Sequence, residues 1–222
     1  MERDHQKSDA KEAEKKRGLL EPDVCPIFYT QILFGLVFTT LSFYIGYYHG
    51  EFILPATNMS EKSASVGARL GYAMCCSLPM LLSFFAGVQL IGTKRALTSA
   101  VNPLSGNEHH VQVHKNYTTN SLEQFVVGLT LMLIIAAHTD DPQVLRLLPV
   151  YSFVFTVNRI LFWIGYSVHP LYRTIGMSGS FFSTYIMFGV AIYYSWTNGL
   201  AALLGHHQQQ LSHSSQLGHQ EL

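Results

Sequence analysis

Long apolar segments dominate this sequence and constrain its fold more than any other feature. As helices rising about 1.5 Å per residue, segments of this length cross a hydrocarbon layer of about 30 Å. There are five of them: Ile27–Tyr48, Val66–Gly92, Leu122–His138, Leu147–Val168 and Met177–Trp196. The third is short, so we assign the polar turn before it to the same helix. Charged residues make up only 13% of the 222, about half of the roughly 25% usual in soluble domains. The sequence therefore predicts an all-α polytopic membrane protein with five spans in a lipid bilayer.

Polar segments flank these spans at both ends of the chain. Residues 1–25 include a basic run and have no apolar core of their own, so they are predicted to form a disordered cytosolic tail. Residues 26–48 then form a separate first transmembrane helix, and residues 66–199 form a four-helix membrane domain. Residues 200–222 are rich in His and Gln and are predicted to be a polar C-terminal tail.

The basic residues predict the orientation of the spans. Lys and Arg are concentrated in the N-terminal tail, after the second span (Lys94, Arg95) and after the fourth span (Arg173). The positive-inside rule places these segments in the cytosol, so five spans leave the C-terminus in the lumen. Asn58 begins a glycosylation sequon in a loop predicted to be luminal, whereas the sequon at Asn116 falls on the cytosolic side and should stay bare.

Cysteine and histidine positions give no reason to predict a metal site. Three cysteines, at 25, 75 and 76, have neither the spacing of a disulfide framework nor that of a zinc site. His110 and His114 have the i, i+4 spacing of helical zinc ligands, but no third and fourth ligand follows nearby. We interpret this segment as a solvated turn at the membrane interface. The formal net charge of zero also gives no reason to expect a nucleic-acid partner.

Polar residues inside the spans are the candidates for function, because they are costly in a bilayer. Asn116, Asn120 and Glu123 share one helical face, and so do Arg159, Phe162 and Tyr166. Two interpretations remain open at this point. The residues form a functional site, or Glu123 and Arg159 form an ion pair that joins two helices. Arg173 has a similar alternative, as a topology signal or a lipid-headgroup contact.

The region from His114 to Trp196 resembles the membrane-associated proteins in eicosanoid and glutathione metabolism, the MAPEG family. The resemblance rests on Asn120-Ser-Leu-Glu123-Gln-Phe, on Asn158-Arg159-Ile-Leu-Phe162-Trp-Ile-Gly165-Tyr166 and on Arg173 beyond them. It implies a four-helix bundle that assembles as a homotrimer and holds glutathione between subunits on the cytosolic side. The glutathione-binding residues that it implies are Asn120, Glu123, Arg159, Tyr166 and Arg173.

In active members of this family, cations hold the carboxylates of glutathione and an arginine beside the sulfur favours the nucleophilic thiolate. The resemblance gives that catalytic role to Arg173, if the protein is an enzyme. Three positions depart from the active pattern: Asn116 stands where an arginine is expected, and Gln124 and Phe162 stand where tyrosines are expected. Each lost bond to a charged group is worth about 1.5–3 kcal/mol, so the site is predicted to be weak or vestigial.

The extra first span and the degenerate site together resemble the mattrin branch of the family. This resemblance implies a regulator or trafficking factor of the secretory pathway, in the endoplasmic reticulum, Golgi or lysosome. The implied roles are secretion for the epidermal barrier and control of Wnt signalling through frizzled receptors, which would be membrane-protein partners. The alternative is a glutathione-dependent transferase or peroxidase that acts on a lipid electrophile. The three departures favour the non-catalytic interpretation.

Overall fold

A computed structural model describes residues 25–53, 65–98 and 107–200. Apart from their innermost residues, the two predicted tails lie outside these ranges, and so does the predicted glycosylation site Asn58. The described residues form helices joined by short turns and contain no strand. The predicted fold class, an all-α polytopic membrane protein, is confirmed.

Five helical segments are long and apolar enough to cross a membrane. They are Pro26–His49, Val66–Ala96, Gln112–His138, Pro142–Val168 and Thr174–Gly199, called the first to fifth spans below. The long helices that form these spans are Cys25–Ile53, Val66–Cys76, Leu78–Ala96, Gln112–His138, Leu147–Val168 and Thr174–Tyr194. Short helical turns cover Glu108–His110, Pro142–Leu145 and Ser195–Leu200. The first, third and fifth spans begin on one side of the bundle, called the N-terminal side, and end on the opposite side.

The second span is broken into two helices at Ser77. The Ser77 backbone N–H still donates to the carbonyls of Ala73 and Met74, and its hydroxyl donates to the Met74 carbonyl at 2.7 Å. Pro79 follows in the first turn of the next helix, where its missing N–H costs no intrahelical hydrogen bond. The serine and proline therefore account for the break.

The third span begins at Gln112, well before the apolar segment that starts at Leu122. Its first turns are polar, as we expected for this short span. They stay helical because side chains at Asn116 and Asn120 find hydrogen-bond partners on the fourth span. Tertiary contacts thus extend the helix beyond its apolar part.

The core lies where the second, third and fourth spans meet. Its largest fully buried apolar side chains include Met80, Met132, Tyr151 and Phe155. Gly128 on the third span lets the fourth span come close, because a Cβ at this position would overlap the Tyr151 hydroxyl. The Tyr151 hydroxyl shares a hydrogen bond of 3.2 Å with Thr184, which ties the fifth span to this core.

Small residues bring the fourth and fifth spans into backbone contact. A Cβ at Gly176 would overlap the Asn158 carbonyl oxygen and the Phe162 backbone nitrogen, and a Cβ at Gly179 would overlap the Asn158 side chain. Such small-residue contacts are typical of helix packing in membranes. The close approach places Ser180 directly opposite Arg159.

The first span packs on the outer side of the fifth span through the same small residues. A Cβ at Gly35 would overlap the Ser178 hydroxyl and lie 2.8 Å from the Gly179 nitrogen. The buried Thr39 hydroxyl donates to the Gly179 carbonyl at 3.2 Å, and the Ser178 hydroxyl donates to the Gln31 carbonyl at 3.3 Å. The extra helix is therefore docked by side-chain hydrogen bonds to backbone carbonyls as well as by apolar contact.

Candidate functional site

The predicted site residues lie toward the N-terminal side of the bundle, on the third and fourth spans and in the turn after them. The third span presents Asn116, Asn120 and Glu123 along its first half. The fourth span presents Arg159 and Tyr166 in its second half, and Arg173 immediately precedes the fifth span. The antiparallel packing of neighbouring spans brings these sequence-distant residues to one end.

Arg159 is the most deeply buried polar residue of this group, with 0% of its side chain exposed. Its Nη1 donates to the Asn120 side-chain oxygen at 2.6 Å, and its Nε donates to the Ser180 hydroxyl at 3.2 Å. The guanidinium carbon also lies 5.1 Å from the ring centre of Phe162 and 5.4 Å from that of Phe155. The remaining nitrogen, Nη2, is buried without a hydrogen-bond partner among the described residues.

Glu123 does not pair with Arg159, so the ion-pair interpretation is wrong. The Glu123 side chain is exposed on the single chain. At this end of the bundle, Glu108 forms ion pairs with Arg95 and with Lys115. Arg159 donates instead to Asn120, three residues before Glu123, because Asn120 faces the fourth span at that level.

Tyr166 lies between Asn116 and Arg173. The Asn116 amide donates to the Tyr166 hydroxyl at 2.8 Å and accepts a hydrogen bond of the same length from Gln112. The Arg173 guanidinium lies over the Tyr166 ring, 5.4 Å from its centre, and the Arg173 side chain is exposed. Asn116 thus uses the phenol as an intrachain partner, and the exposed Arg173 guanidinium donates no side-chain hydrogen bond to another residue that the structure describes.

Phe162 and Gln124, which stand where the active pattern has tyrosines, differ in their surroundings. Phe162 is buried between the rings of Tyr117 and Tyr166, at centre-to-centre distances of 6.0 and 5.8 Å. Gln124 has a buried side-chain oxygen that receives no hydrogen bond from the described residues. Neither residue provides the hydroxyl donor of the active pattern.

Glu108 forms a cluster that sequence reasoning missed. Its carboxylate accepts from Arg95 at 2.8 Å and from Lys115 at 2.6 Å, which ties the end of the second span to the start of the third. The hydrogen bond from Lys115, followed by the charge of Arg95, outweighs desolvation and lowers the pKa of Glu108 below its ordinary value of 4.5. The spacing of seven residues between Glu108 and Lys115, about two helical turns, is the sequence feature that could have indicated this pair.

The histidines of this segment have structural partners. The His114 Nδ1 accepts a hydrogen bond of 3.2 Å from the Trp163 indole, and the rings of His109 and His110 lie 3.9 Å apart. A nitrogen engaged by the Trp163 N–H is not free to bind a metal ion. Within the described ranges, no three His, Cys, Asp or Glu residues form a group that could hold one.

Comparison with known proteins identifies the family. The family model described as "MAPEG family" matches residues 72–193, which is more than half of the chain. The chain belongs to the MAPEG family. No solved structure matches it significantly.

Within the MAPEG family, two curated relatives are transmembrane protein 79, which is also called mattrin. Transmembrane protein 79 of Mus musculus is 22% identical over 135 residues, covering 61% of this chain and 34% of the relative. Transmembrane protein 79 of Bos taurus is 22% identical over 122 residues, covering 55% and 31%. The resemblance to the mattrin branch is therefore confirmed, and the chain spans about a third of the length of these relatives.

The predicted glutathione-binding residues of this MAPEG bundle form two intrachain pairs. Arg159 bonds to Asn120, and the Arg173 guanidinium lies over the Tyr166 ring. Among the described residues, no side-chain hydrogen bond or ion pair joins Glu123 to either pair. Ser180 accepts a hydrogen bond from Arg159, and Asn116 donates one to Tyr166. Neither contact could be inferred from the sequence. Of the two arginines, only Arg173 presents an exposed guanidinium to a ligand outside the chain.

Proposed function

We propose that this protein is a non-catalytic MAPEG membrane protein that acts as a regulator or trafficking factor in the secretory pathway. The observation that carries the proposal is the hydrogen bond of 2.8 Å from the Asn116 amide to the Tyr166 hydroxyl. In the active pattern an arginine stands at position 116 and is available to a ligand. Here a neutral amide stands there, and its partner is another residue of the predicted site.

The charge balance of the site supports the same proposal. Glutathione carries two carboxylates and reacts as a thiolate, so its binding needs several cationic or strongly donating groups. Arg159 is fully buried and donates to Asn120 and Ser180, which leaves the exposed Arg173 as the accessible guanidinium of the two. Each missing bond to a charged group removes about 1.5–3 kcal/mol of binding free energy.

We also propose that the chain assembles as a homotrimer, as the family resemblance implies. Glu123 supports an interface on the third span, because it is exposed on the single chain beside apolar residues that are also exposed, Leu122, Val126 and Val127. Counted from Gln112, the first residue of the third span, Glu123 lies about 16 Å along a helix long enough to cross the bilayer. A charged side chain facing lipid costs about 2.5–3.5 kcal/mol, which burial against another subunit with polar partners reduces.

The cellular role is proposed from the mattrin branch. It comprises secretion for the epidermal barrier and control of frizzled receptors in Wnt signalling, with those receptors as membrane-protein partners. The protein would lie in the endoplasmic reticulum, Golgi or lysosome with its N-terminus in the cytosol and its C-terminus in the lumen. The chain covers about a third of its curated relatives, so these roles of the longer proteins are carried over as proposals.

A second candidate function is favoured by one observation. The Arg173 guanidinium is exposed and is held over the Tyr166 ring, where it could stabilise a glutathione thiolate. A glutathione transferase would then join that sulfur to a lipid electrophile. A peroxidase would reduce a lipid hydroperoxide to the alcohol and water while two glutathione thiols are oxidised to the disulfide. For this candidate, glutathione is the cofactor and Arg173 the catalytic residue.

Glutathione calorimetry on the purified oligomer in detergent separates the two candidates. We expect no saturable heat with the wild-type protein at millimolar glutathione, and measurable binding in Asn116→Arg, which restores the missing cation. Saturable wild-type binding that disappears in Arg173→Ala and persists in Lys94→Ala would reject the non-catalytic proposal in favour of the enzyme. Lys94 is a suitable control because it is an exposed cation on the same side of the bundle.

The regulatory role needs a cellular measurement. We expect expression of the full chain to lower the amount of frizzled receptor at the cell surface while the receptor accumulates in the endoplasmic reticulum. The variant Arg173→Ala should act like the wild type, because a non-catalytic regulator does not use a glutathione thiolate. Unchanged surface receptor at matched expression would remove the Wnt part of the proposal.

A further inference from the structure

The turn after the fourth span holds Arg173 against Tyr166. Gly165 allows this contact, because a Cβ at Gly165 would overlap the carbonyl of Tyr172, the residue before Arg173. A hydrogen bond of 3.0 Å from the Tyr172 backbone N–H to the His169 carbonyl closes the turn. The Arg173 guanidinium therefore lies over the Tyr166 ring, 5.4 Å from its centre, as part of a defined turn.

Tyr166 and Arg173 offer hydrogen-bond donors to the outside of the chain. The Tyr166 oxygen accepts the hydrogen bond from Asn116, so the phenol proton remains available for donation. The exposed Arg173 guanidinium donates no side-chain hydrogen bond to a residue that the structure describes. Because the guanidinium lies over the ring that carries the hydroxyl, one anionic group with two oxygens can accept from both. The pair thus suits a single phosphate or carboxylate.

The charges around the pair favour a ligand of net negative charge. On this side of the bundle the described residues include four cations and two carboxylates: Lys94, Arg95, Lys115 and Arg173, with Glu108 and Glu123. Glu108 is already bonded to Arg95 and Lys115, and Glu123 lies about 10 Å beyond Asn116 along the third span. The opposite side includes Arg69 and Arg146 with Asp140 and Asp141. The pair therefore lies at the more positive end of the bundle.

The position of the pair at the ends of two spans points to a lipid headgroup. Tyr166 is in the last turn of the helix that ends at Val168, and Arg173 immediately precedes the helix that begins at Thr174. In the same segment Val168 is 70% exposed and Tyr172 is 42% exposed, so apolar surface accompanies the donors. A phospholipid has its phosphate at the membrane surface and its acyl chains in the hydrocarbon, so it can contact both.

We propose that Tyr166 and Arg173 bind the phosphate of an anionic phospholipid in the leaflet on the N-terminal side. The Arg173 guanidinium balances the charge of the phosphate, and the Tyr166 hydroxyl donates to a second oxygen of the same group. In the proposed orientation this is the cytosolic leaflet, which carries the anionic lipids. The inference rests on the proposed non-catalytic function, because a bound glutathione would use the same two donors.

Native mass spectrometry of the full chain, purified in detergent and titrated with lipid, tests this site. The probe is phosphatidylglycerol, because its phosphate is its only charge, and phosphatidylcholine is the comparison lipid. We expect saturable binding of phosphatidylglycerol that Arg173→Ala weakens about tenfold or more, the loss expected for a bond to a charged group. Lys94→Ala should leave the affinity nearly unchanged, because Lys94 is an exposed cation on the same side but outside the pair.

Tyr166→Phe separates the hydroxyl from the ring. This variant keeps the aromatic face beneath the Arg173 guanidinium and removes the donated proton. We therefore expect phosphatidylglycerol to bind about tenfold more weakly, while the melting temperature in detergent stays near that of the wild type. If Arg173→Ala fails to fold, Tyr166→Phe decides alone.

Three results would overturn the lipid site. Equal losses in Arg173→Ala and Lys94→Ala would show general attraction to a positive surface. Equal affinity for phosphatidylcholine and phosphatidylglycerol would reject the preference for an anionic lipid. Displacement of the bound lipid by millimolar inorganic phosphate would assign the two donors to a free phosphate instead.

Glutathione separates the failure of this inference from the failure of the proposed function. If neither phosphatidylglycerol nor glutathione binds, the lipid site is rejected and the non-catalytic proposal stands. If glutathione binds and displaces phosphatidylglycerol, both are rejected. We expect bound phosphatidylglycerol to be unaffected by millimolar glutathione.

Discussion

The guanidinium of Arg159 donates a hydrogen bond of 2.6 Å to the side-chain oxygen of Asn120, a neutral acceptor. A fully buried arginine is usually neutralised by a carboxylate, yet Glu123 is exposed and unpaired with it. The third and fourth spans are thus joined by a charge-assisted hydrogen bond between a cation and an amide. This bond is a target for mutation, because Nη2 of the same group already lacks a partner among the described residues.

We expect Asn120→Ala to destabilise the protein by about 1–3 kcal/mol, since it leaves a second nitrogen of a buried guanidinium without a partner. Thermal unfolding in detergent measures the effect, with Thr119→Ala as the control because Thr119 is exposed on the same helix. The double variant Arg159→Met/Asn120→Leu should recover most of the loss, because apolar replacement of both polar partners is often nearly neutral. Equal stability of Asn120→Ala and wild type would show that the bond contributes little.

Gly176→Ala should destabilise the contact between the fourth and fifth spans. The added Cβ would overlap the backbone at Asn158 and Phe162, which cannot move aside as a side chain can. Overpacking of this kind costs about 1–3 kcal/mol. The matched control is Gly92→Ala, whose Cβ meets nothing within 4 Å and whose helix propensity rises by about 1 kcal/mol. The measurement is unfolding in detergent, and a Gly176→Ala variant as stable as Gly92→Ala would contradict this packing.

An engineered disulfide can test the contact between the first and fifth spans. A Cβ at Gly35 would lie 3.2 Å from the Ser178 Cβ, slightly less than the roughly 3.5–4.5 Å of a disulfide, and 2.8 Å from the Gly179 nitrogen. The bond therefore requires the first span to shift outward by a few tenths of an ångström. We expect Gly35→Cys/Ser178→Cys to cross-link under mild oxidation in a background with the native cysteines replaced by alanine. A protease site inserted between residues 54 and 64 then reveals the link, because the two fragments stay together until a reductant is added. In the control pair, Val37→Cys/Ser178→Cys, Val37 is 55% exposed on the outer face and should not cross-link.

Acidification should weaken the cluster around Glu108. Its pKa is lowered in the folded protein by the hydrogen bond from Lys115 and by the charge of Arg95. The unfolded chain therefore binds a proton at higher pH, and the stabilisation is complete above the ordinary pKa of 4.5 and lost as the pH falls through the lower folded value. We expect the melting temperature of the wild type to fall over this range more steeply than that of Glu108→Gln. Parallel pH profiles for the two proteins would contradict a contribution from this carboxylate.

The spans were predictable because their signal is local. Each apolar segment can be recognised from its own length and hydropathy. The first span, predicted as Ile27–Tyr48, is Pro26–His49 in the structure, and the fourth, predicted as Leu147–Val168, is Pro142–Val168. The start of the third span was harder, since Gln112 and Asn116 look like a loop in isolation. They are helical because Asn116 and Asn120 meet Tyr166 and Arg159, which lie about 40 to 50 residues further along the chain.

The pairing inside the site was not predictable in the same way. Asn120 and Glu123 are less than one helical turn apart, and charge alone favours Glu123 as the partner of Arg159. The rotation of the third span decides in favour of Asn120, and that rotation depends on contacts such as Gly128 with Tyr151. Ser180 gave no signal either, because it lies among several small residues of the fifth span that differ only in which neighbour they face.

The polar first half of the third span has a consequence for how the protein enters the membrane during synthesis. A translocon that tests each segment separately would meet asparagines and a glutamate in the third span and an arginine in the fourth. Charged residues near the centre of a helix disfavour its partition into lipid. Paired as a hairpin, the two segments shield Arg159 and Asn120 from hydrocarbon. We therefore expect integration of the third span to depend on synthesis of the fourth, so that truncation between them leaves the third span poorly inserted.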